Sequence, residues 1–569
     1  MSTPTQNSVF REVVTAADDP FIDSLIHRLR WTESGGTTAL TFSFPGANSV
    51  WATPYSELNE PDGVQPFGIA ESNAARAALA LWSRYANLTF TETFETATNV
   101  GDIRFAYTSI KLEDSAAHAY APSNNPAGGD VWIDSGDVNS SFRPGSTGFF
   151  VLLHEIGHSL GLKHPFATGP ISTAILDPDF DNVSYTVMSY NISPDRPGDQ
   201  FGISIYPTTP MALDIEAVRF LYGEKPYNAG DTQYIYDEDK DYFETIYDTG
   251  GDDSIIWNSE EQYAIIDLTG GAWSSLGNAL YIYDRFGNIV DNDIYNVAIF
   301  RDSVIENVIS GNSDDDIYGN EVGNRLEAGG GHDIVWGDEG ADTIIGGSGN
   351  DHLYGQSPSG GSDGADSISG GDGSDYLQGN AGGDTLDGGD GSDRINGGGA
   401  DDSIFGMAGN DTINGNLGAD MISGGEGNDS LRGGQGGDSI SGDAGNDTVS
   451  GDLGADTLSG GEGIDLFTFS GAGSATSQPD RIADFQSGTD RLAIGFRPSA
   501  ILTGTAQTSP EQAASAAQQL FDGRAGDGEL AVIPIGTDSY LFYASGGGGT
   551  VDSAIILAGT TTLALSDFG

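Results

Sequence analysis

The chain contains no cysteine, so neither a disulfide framework nor thiol chemistry is available to it. It is poor in basic residues, with 22 Lys and Arg against 84 Asp and Glu and a formal charge of −62. That balance excludes nucleic acid as a partner, because a polyanion repels a phosphate backbone and has no counterions to release from it. Long apolar runs are absent too: no stretch reaches bilayer-spanning length, and the first 29 residues hold no signal-peptide h-region. What remains is a chain of 569 residues, long enough for several cores, with hard oxygen ligands in great excess. Calcium is the cation that such a composition suits.

Three textures follow one another. From about residue 30 to 225 the composition is that of a mixed α/β domain. Residues 73–85 (NAARAALALWSRY) carry apolar residues at helical spacing, and LTFSF at 40–44 and IRFAY at 103–107 alternate as strands do. Ser146 is placed to cap a helix running through Leu160, Gly161 to stop it, and Met211–Tyr222 reads as a further helix.

From about 310 to 468 the chain turns to Gly, Asp and Asn, and repeats in nines: GGSGNDHLY at 346, GGDGSDYLQ at 370, GNAGGDTLD at 379, GMAGNDTIN at 406. About seventeen such frames can be set out. A flexible linker has no reason to keep phase, yet an apolar residue follows two places after each repeat Asp, from Ile344 through Leu353, Ile368 and Leu377 to Leu458. The pattern reads as turns of Gly and Asp alternating with short strands, two nines to a coil. Apolar side chains stack inside, and calcium sits between turns at Asp333, Asp342, Asp351, Asp366, Asp375, Asp384, Asp393, Asp402, Asp411, Asp420, Asp429, Asp438, Asp447 and Asp456. Without the cation these carboxylates repel and each strand buries too little to offset its ordering, so folding is expected to be coupled to metal. Asn324 stands where a repeat Asp is expected, and GQSPSG at 355–360 is expected to break the stack. This array resembles the RTX family of toxins and proteases, which implies a parallel β-roll. Residues 469–569 return to a globular mix with strand candidates at 539–543 and 554–557 and a helix at 511–521, read as a β-rich cap.

Residues 154–165 read HEIGHSLGLKHP. On a helix, His154 and His158 lie one turn apart and present both imidazoles to one ion. Glu155 beside them can take a proton from metal-bound water, and the turn at Gly161 lets His164 supply a third ligand. Three protein ligands leave one position open, as catalytic zinc requires. The string HExxHxxGxxH is the metzincin signature, and YTVMSY at 185–190 fits its Met-turn at Met188. Together with the RTX array, the motif makes the chain resemble the serralysins, from about Trp31 to the C-terminal region. Supporting segments are the helix around 74–87, AAHAYAP at 116–122, DVWI at 130–133 and PMALDIEAVRFLYG at 210–223.

The resemblance implies a multidomain protein: a possible pro-segment (1–20), an α/β metzincin catalytic domain (21–240), a strand-rich connection (241–309), the β-roll (310–468) and the cap with secretion region (469–569). It implies a secreted calcium-dependent zinc metalloendopeptidase, with zinc-bound water as nucleophile and Glu155 as general base. Tyr190 would be a further zinc ligand that swings away to stabilise the oxyanion. Ala117, His118, Ala119 and Tyr120 would form the edge strand that pairs with extended substrate. Partners implied are protein or peptide substrates, a proteinaceous inhibitor and type I export machinery of a Gram-negative bacterium, for a monomer without a membrane span. The terminus SDFG is shorter and less apolar than the family's usual ending. Two other readings compete with this one. A lipase would need the GxSxG at 360–364 on a strand-to-helix elbow, which a repeat array does not offer. A non-enzymatic calcium-binding adhesion or surface protein with a relic protease domain would be free to lose Glu155 or a histidine, and all four residues are present.

Overall fold

The structure, a computed structural model, describes residues 10–32, 37–46, 49–110, 116–136, 141–168, 171–192, 202–284, 286–293, 295–356, 364–470, 475–523, 529–545, 549–559 and 562–569. The chain divides into two compact units: residues 1–253 with 269–305, and residues 254–268 with 306–569.

The first unit is α/β. Its main sheet runs in the order Leu88–Glu92, Thr38–Ser43, Ile103–Thr108, Val131–Asp134, Ala117–Ala119. The first four strands pair in parallel and the last, at the edge, antiparallel. Among the described residues four α-helices accompany it: α1 (Pro20–Leu25), α2 (Ile69–Tyr85), α3 (Thr147–Ser159) and α4 (Ala212–Tyr222). Helix α2 begins four residues before the expected 73 and buries Ala75, Ala78, Leu79 and Trp82, whose indole N–H donates to the carbonyl of Leu153 in α3 at 3.3 Å. The expected cap of α3 forms, with Ser146 Oγ accepting from Phe149 N. At the other end Gly161 takes φ +104°, and a Cβ there would fall 2.1 Å from the carbonyl oxygen of Leu29, so only glycine fits.

Ahead of the sheet, Phe10–Val13 pairs antiparallel with Leu29–Thr32, and residues 1–9 lie outside the described residues. The edge strand is shorter than AAHAYAP suggests. Tyr120 falls one place beyond it, because the turn at 123–129 folds the chain back there, although its N–H still bonds the carbonyl of Asp130 at 3.1 Å.

The second unit is a parallel β-roll. One ladder steps from Ser254–Asn258 through Asn307–Ile309, Arg325–Gly330 and Thr343–Ser348 to Thr457–Ser459. The other steps from Ile265–Asp267 through Asp316–Asn320 and Ile334–Asp338 to Arg491–Ala493. Partners are 18 residues apart, two nonapeptides per coil, and the expected interior residues from Ile344 to Leu458 are at most 2% exposed. Two departures from the expected organisation stand out. Ser254–Asn258 and Ile265–Asp267 already belong to the stack, so it starts before 310. The first of them follows GGDDSI at 250–255, an isolated copy of the Gly–Asp–apolar pattern, and the second has no such approach. The six-residue insertion does not break the ladder either. Thr343–Ser348 pairs in register with Ser367–Asp372, and the spacing between hydrogen-bonded aspartates simply grows from 18 to 24. A turn can lengthen outward without cost to the strands it joins. Residues 357–363, including most of the GxSxG string, lie outside the described residues.

Beyond the roll, Ser553–Leu557, Asp538–Tyr543, Glu529–Ile535 and Ala500–Thr503 extend the ladder from Asp480–Ile482. Helix α5 (Pro510–Asp522) covers them through Ala513, Ala517 and Phe521 against Leu502, Ile533 and Phe542. Open strand edges invite further pairing, and covering them is how a stack of coils is ended.

Candidate metal centre and calcium-binding turns

In α3, His154 and His158 project one turn apart, and the reversal at Gly161 returns His164 to face them. His164 Nε2 lies 3.1 Å from His154 Nε2 and 3.0 Å from His158 Nε2. Nitrogens held 2.0–2.1 Å from one tetrahedral zinc ion stand about 3.3 Å apart, so the cluster is near the size of the ion. Orientation agrees with size. His154 Nδ1 is 2.7 Å from the carbonyl of Val187, and His158 Nδ1 is 2.9 Å from that of Leu162. A carbonyl can only accept, so both Nδ1 atoms carry the proton and both Nε2 lone pairs face inward. Burial lowers all three imidazoles, His158 to about 4 and His164 to about 3, and His154 well below its usual value, which keeps them neutral. Two inward lone pairs, with a third ring nitrogen within 3.1 Å of both, fit a bound cation, and three nitrogens fit zinc.

Glu155 is buried, and its Oε2 has no hydrogen-bond partner among the described residues. Burial pushes its carboxyl up to about 8, whereas a neighbouring dication would favour the charged form. The Tyr190 hydroxyl reaches within 2.7 Å of His164 Nε2 while the side chain stays 63% exposed. These residues line a cleft of about 310 Å³ together with Ala117, His118, Ala119 and Lys163.

Met188 lies fully buried beneath the cluster, its sulfur 2.5 Å from where a Cβ on Gly157 would fall. The turn that carries it is held by Asp214 of α4, which sequence reasoning passed over. Asp214 Oδ1 accepts from Thr186 Oγ1 at 2.6 Å, and Oδ2 from the N–H groups of Val187 and Met211 at 2.7 and 2.9 Å. The main-chain carbonyls of Val187 and Leu162 were equally unreadable, since any residue supplies one.

In the roll, every one of the fourteen predicted aspartates accepts, through Oδ1, the main-chain N–H of the residue one coil earlier, at 2.7–3.0 Å. Asn324 holds the same place, donating its N–H to Asp342 Oδ1 at 2.8 Å. The second oxygen differs. At Asp333, Asp351, Asp375, Asp393, Asp402, Asp411, Asp420, Asp429, Asp438, Asp447 and Asp456, Oδ2 is buried with no hydrogen-bond partner among the described residues. Glycine opens each repeat for a matching reason: a Cβ on Gly370 would fall 2.3 Å from Asp375 Oδ2. Rows of buried carboxylate oxygens lacking donors are the natural complement of a hard cation.

Comparison with known proteins finds matches over both regions of the chain. The Matrixin family of peptidases matches residues 65–187, and the RTX calcium-binding nonapeptide repeat matches four times, at 318–353, 360–395, 396–431 and 432–467. A serralysin of Photorhabdus laumondii is 31% identical over 283 residues, covering 46% of this chain and 55% of its own length. The metallopeptidase AprA of Pseudomonas marginalis is 30% identical over 324 residues (52% and 63%), and a serralysin of Proteus mirabilis 29% over 322 (51% and 61%). The chain therefore spans between half and two thirds of the length of these relatives. A solved structure, the AlgE6R3 subunit of the Azotobacter vinelandii mannuronan C5-epimerase, is 26% identical over 26% of this chain and 79% of its own, with a TM-score of 0.20 that carries no argument. The resemblance to the serralysin family is borne out, as are the multidomain fold class and zinc and calcium as the two cofactors.

Proposed function

For a chain that joins a matrixin-type domain to RTX repeats in the serralysin manner, we propose the activity of a secreted, calcium-dependent zinc metalloendopeptidase that cleaves extended protein segments. The convergence of three neutral imidazoles beside the unpartnered carboxylate of Glu155 carries this reading. His154, His158 and His164 hold the zinc ion, which when bound supplies a Lewis acid that acidifies water and polarises a carbonyl. Glu155, with its free oxygen in the cleft wall, takes the proton from water and returns it to the leaving amine. Burial first, and then the charge of Glu155, raise the Tyr190 hydroxyl to about 12, so it stays a donor able to serve a developing oxyanion.

Substrate is held by strand addition. The pairings of Tyr120 with Asp130 and of Ala116 with Asp134 put alternate residues in hydrogen-bonded register, so His118 bonds inward to Trp132 and Ala119 turns its N–H and carbonyl to the open edge. We assign the repeat aspartates as calcium ligands of the roll. Export by a type I route, a proteinaceous inhibitor as partner and a monomeric state complete the proposal. Among the described residues no helix is long and apolar enough to cross a membrane.

Casein hydrolysis in millimolar calcium, comparing wild type with Glu155→Ala and with phenanthroline treatment, tests the reading. Cleavage abolished by both is expected. A folded, zinc-loaded wild type that cleaves nothing would overturn it and favour the adhesion protein.

A further inference from the structure

The edge strand proposed to take substrate pairs with a neighbour on one side, and its other side must stay open for a peptide to add there. It is three residues long, Ala117–Ala119, and runs antiparallel to Val131–Asp134. On one face it offers the core the methyl groups of Ala117 and Ala119, a small area by which to anchor a strand. A strand so placed loses order readily, and a peptide that had to order it on binding would bind more weakly. On the opposite face stand His118 and Tyr120, and both end on one carboxylate.

That carboxylate is Glu60, completely buried at the head of the short 3-10 turn Glu60–Gly63. Its Oε1 lies 2.7 Å from His118 Nε2 and accepts the Tyr120 hydroxyl at 2.5 Å, while Oε2 accepts the Ser56 hydroxyl. Burial by itself would raise this carboxyl, but the hydrogen bonds from His118, Ser56 and Tyr120 prevail and hold it at about 2, so it stands as an acceptor for all three. Nε2 of His118 therefore carries a proton whatever the charge of the ring. Glu60 is fixed in turn to the middle of the sheet. Its carbonyl accepts from Thr108 Oγ1 at 3.2 Å, and Ser109 N donates to the carbonyl of Gly63 at 3.0 Å. Val64–Gln65 then pairs antiparallel with the end of Ile103–Thr108. These contacts form one chain, from a central strand through the turn and the carboxylate to the strand at the edge.

We propose that Glu60 is a positioning residue of the peptidase, which holds Ala117–Ala119 extended and ready for an incoming peptide to pair with. The proposal rests on the peptidase reading and says how its substrate strand is kept in place. Being completely buried, Glu60 acts through His118 and Tyr120 and not by contact with the peptide. Tethering the strand through its side chains leaves the outward N–H and carbonyl of Ala119 for substrate, as a further neighbouring strand would not.

The test uses the full chain loaded with zinc and calcium, and a fluorogenic peptide long enough to lie along the strand. In Glu60→Leu, KM is expected to rise roughly tenfold, about what ordering one residue's backbone is worth, at unchanged kcat and zinc content. A merely structural role would lower the amount of active protein, and so the apparent kcat, and leave KM where it was. Glu60→Gln keeps the shape and an accepting oxygen, and should return KM close to the wild-type value. Tyr120→Phe removes a single hydroxyl from the tether and should raise KM by a smaller factor, so the test stands even where Glu60→Leu fails to fold. Acetohydroxamate, too small to lie along the strand, should inhibit every variant equally. A KM unchanged in Tyr120→Phe, a KM raised as far in Glu60→Gln as in Glu60→Leu, or weaker hydroxamate inhibition in the variants overturns the role and leaves the peptidase reading intact. A zinc-loaded wild type that cleaves no peptide overturns the peptidase reading, and this role with it.

Discussion

The histidine cluster and the coils of the roll both gather groups that suit a metal, and they do it by opposite means. At the cluster each donor is individual. Two imidazoles come from α3 and the third from the return at Gly161, and the orienting partners are carbonyls of Leu162 and of Val187, itself held by Asp214. All of this is fixed by packing and by hydrogen bonds that need no metal. In the roll most aspartates copy the one 18 residues earlier, and at the eleven named above the second oxygen has no hydrogen-bond partner among the described residues. A pre-organised site should lose only its chemistry when emptied. A site whose own ligands repel should lose its fold.

The largest effect expected is therefore on the roll. Chelating calcium with EGTA at pH 8 should abolish most of the parallel-sheet circular dichroism in one cooperative step. Stripping zinc with phenanthroline should leave the spectrum unchanged. A calcium-free roll that keeps its sheet at pH 8 would erase the contrast.

Next in size is the loss of single groups at the cluster. Glu155→Gln should lower kcat by about 10²–10⁴-fold at unchanged zinc content, the span of a general base. His158→Ala should abolish both zinc binding and turnover, read by metal analysis alongside the assay. By contrast Asp411→Ala removes one ligand among many equivalent ones, and should only raise the calcium midpoint of folding by a small factor. Equal damage from both substitutions would show the roll to be less redundant than its repetition implies.

A smaller, pH-dependent effect separates the two regions further. Burial first, and then neighbouring aspartates, raise the roll's carboxyls: Asp375 and Asp393 to about 6, Asp402 and Asp438 to about 7, Asp333 to about 8. A carboxyl raised in the folded state binds protons that the unfolded chain has released by about pH 4. Its contribution is complete below that pH and is lost as pH climbs through 6 to 8. The calcium-free roll should accordingly regain sheet on acidification from pH 8 to 5, followed by circular dichroism, whereas saturating calcium should remove the dependence.

Least of these, Asp214→Ala should destabilise the first unit by roughly 2–4 kcal/mol, through three lost hydrogen bonds under the Met-turn. Thermal unfolding in saturating calcium would report it.

Legibility followed the same division. In the roll, composition and phase were enough to name the interior residues and the aspartates, because every contact there is a fixed number of residues away. Of the early coils, the one at 254–258 carries a single GGDDSI (250–255) too far from the long array to show a phase, and the one at 265–267 keeps the geometry without the composition. At the cluster, local spacing in HEIGHSLGLKHP was enough to bring His154, His158, His164 and Glu155 together, all within one helix and its return. Asp214, the carbonyl of Val187 and Glu60 were not legible, since each acts on residues 27 to 60 positions away.

The sequence by itself determined the periodic interior of the roll, the ligand spacing on α3 and the glycine at 161 that turns His164 back. These depend on neighbours one helical turn or one nonapeptide apart, where covalent geometry dictates position. Tertiary structure alone decided which carbonyls orient the imidazoles, where the roll begins, that the insertion leaves the ladder whole, and that a buried carboxylate stands behind His118. Such choices are made by packing between segments distant along the chain, and no local pattern encodes which of many chemically equal groups will meet.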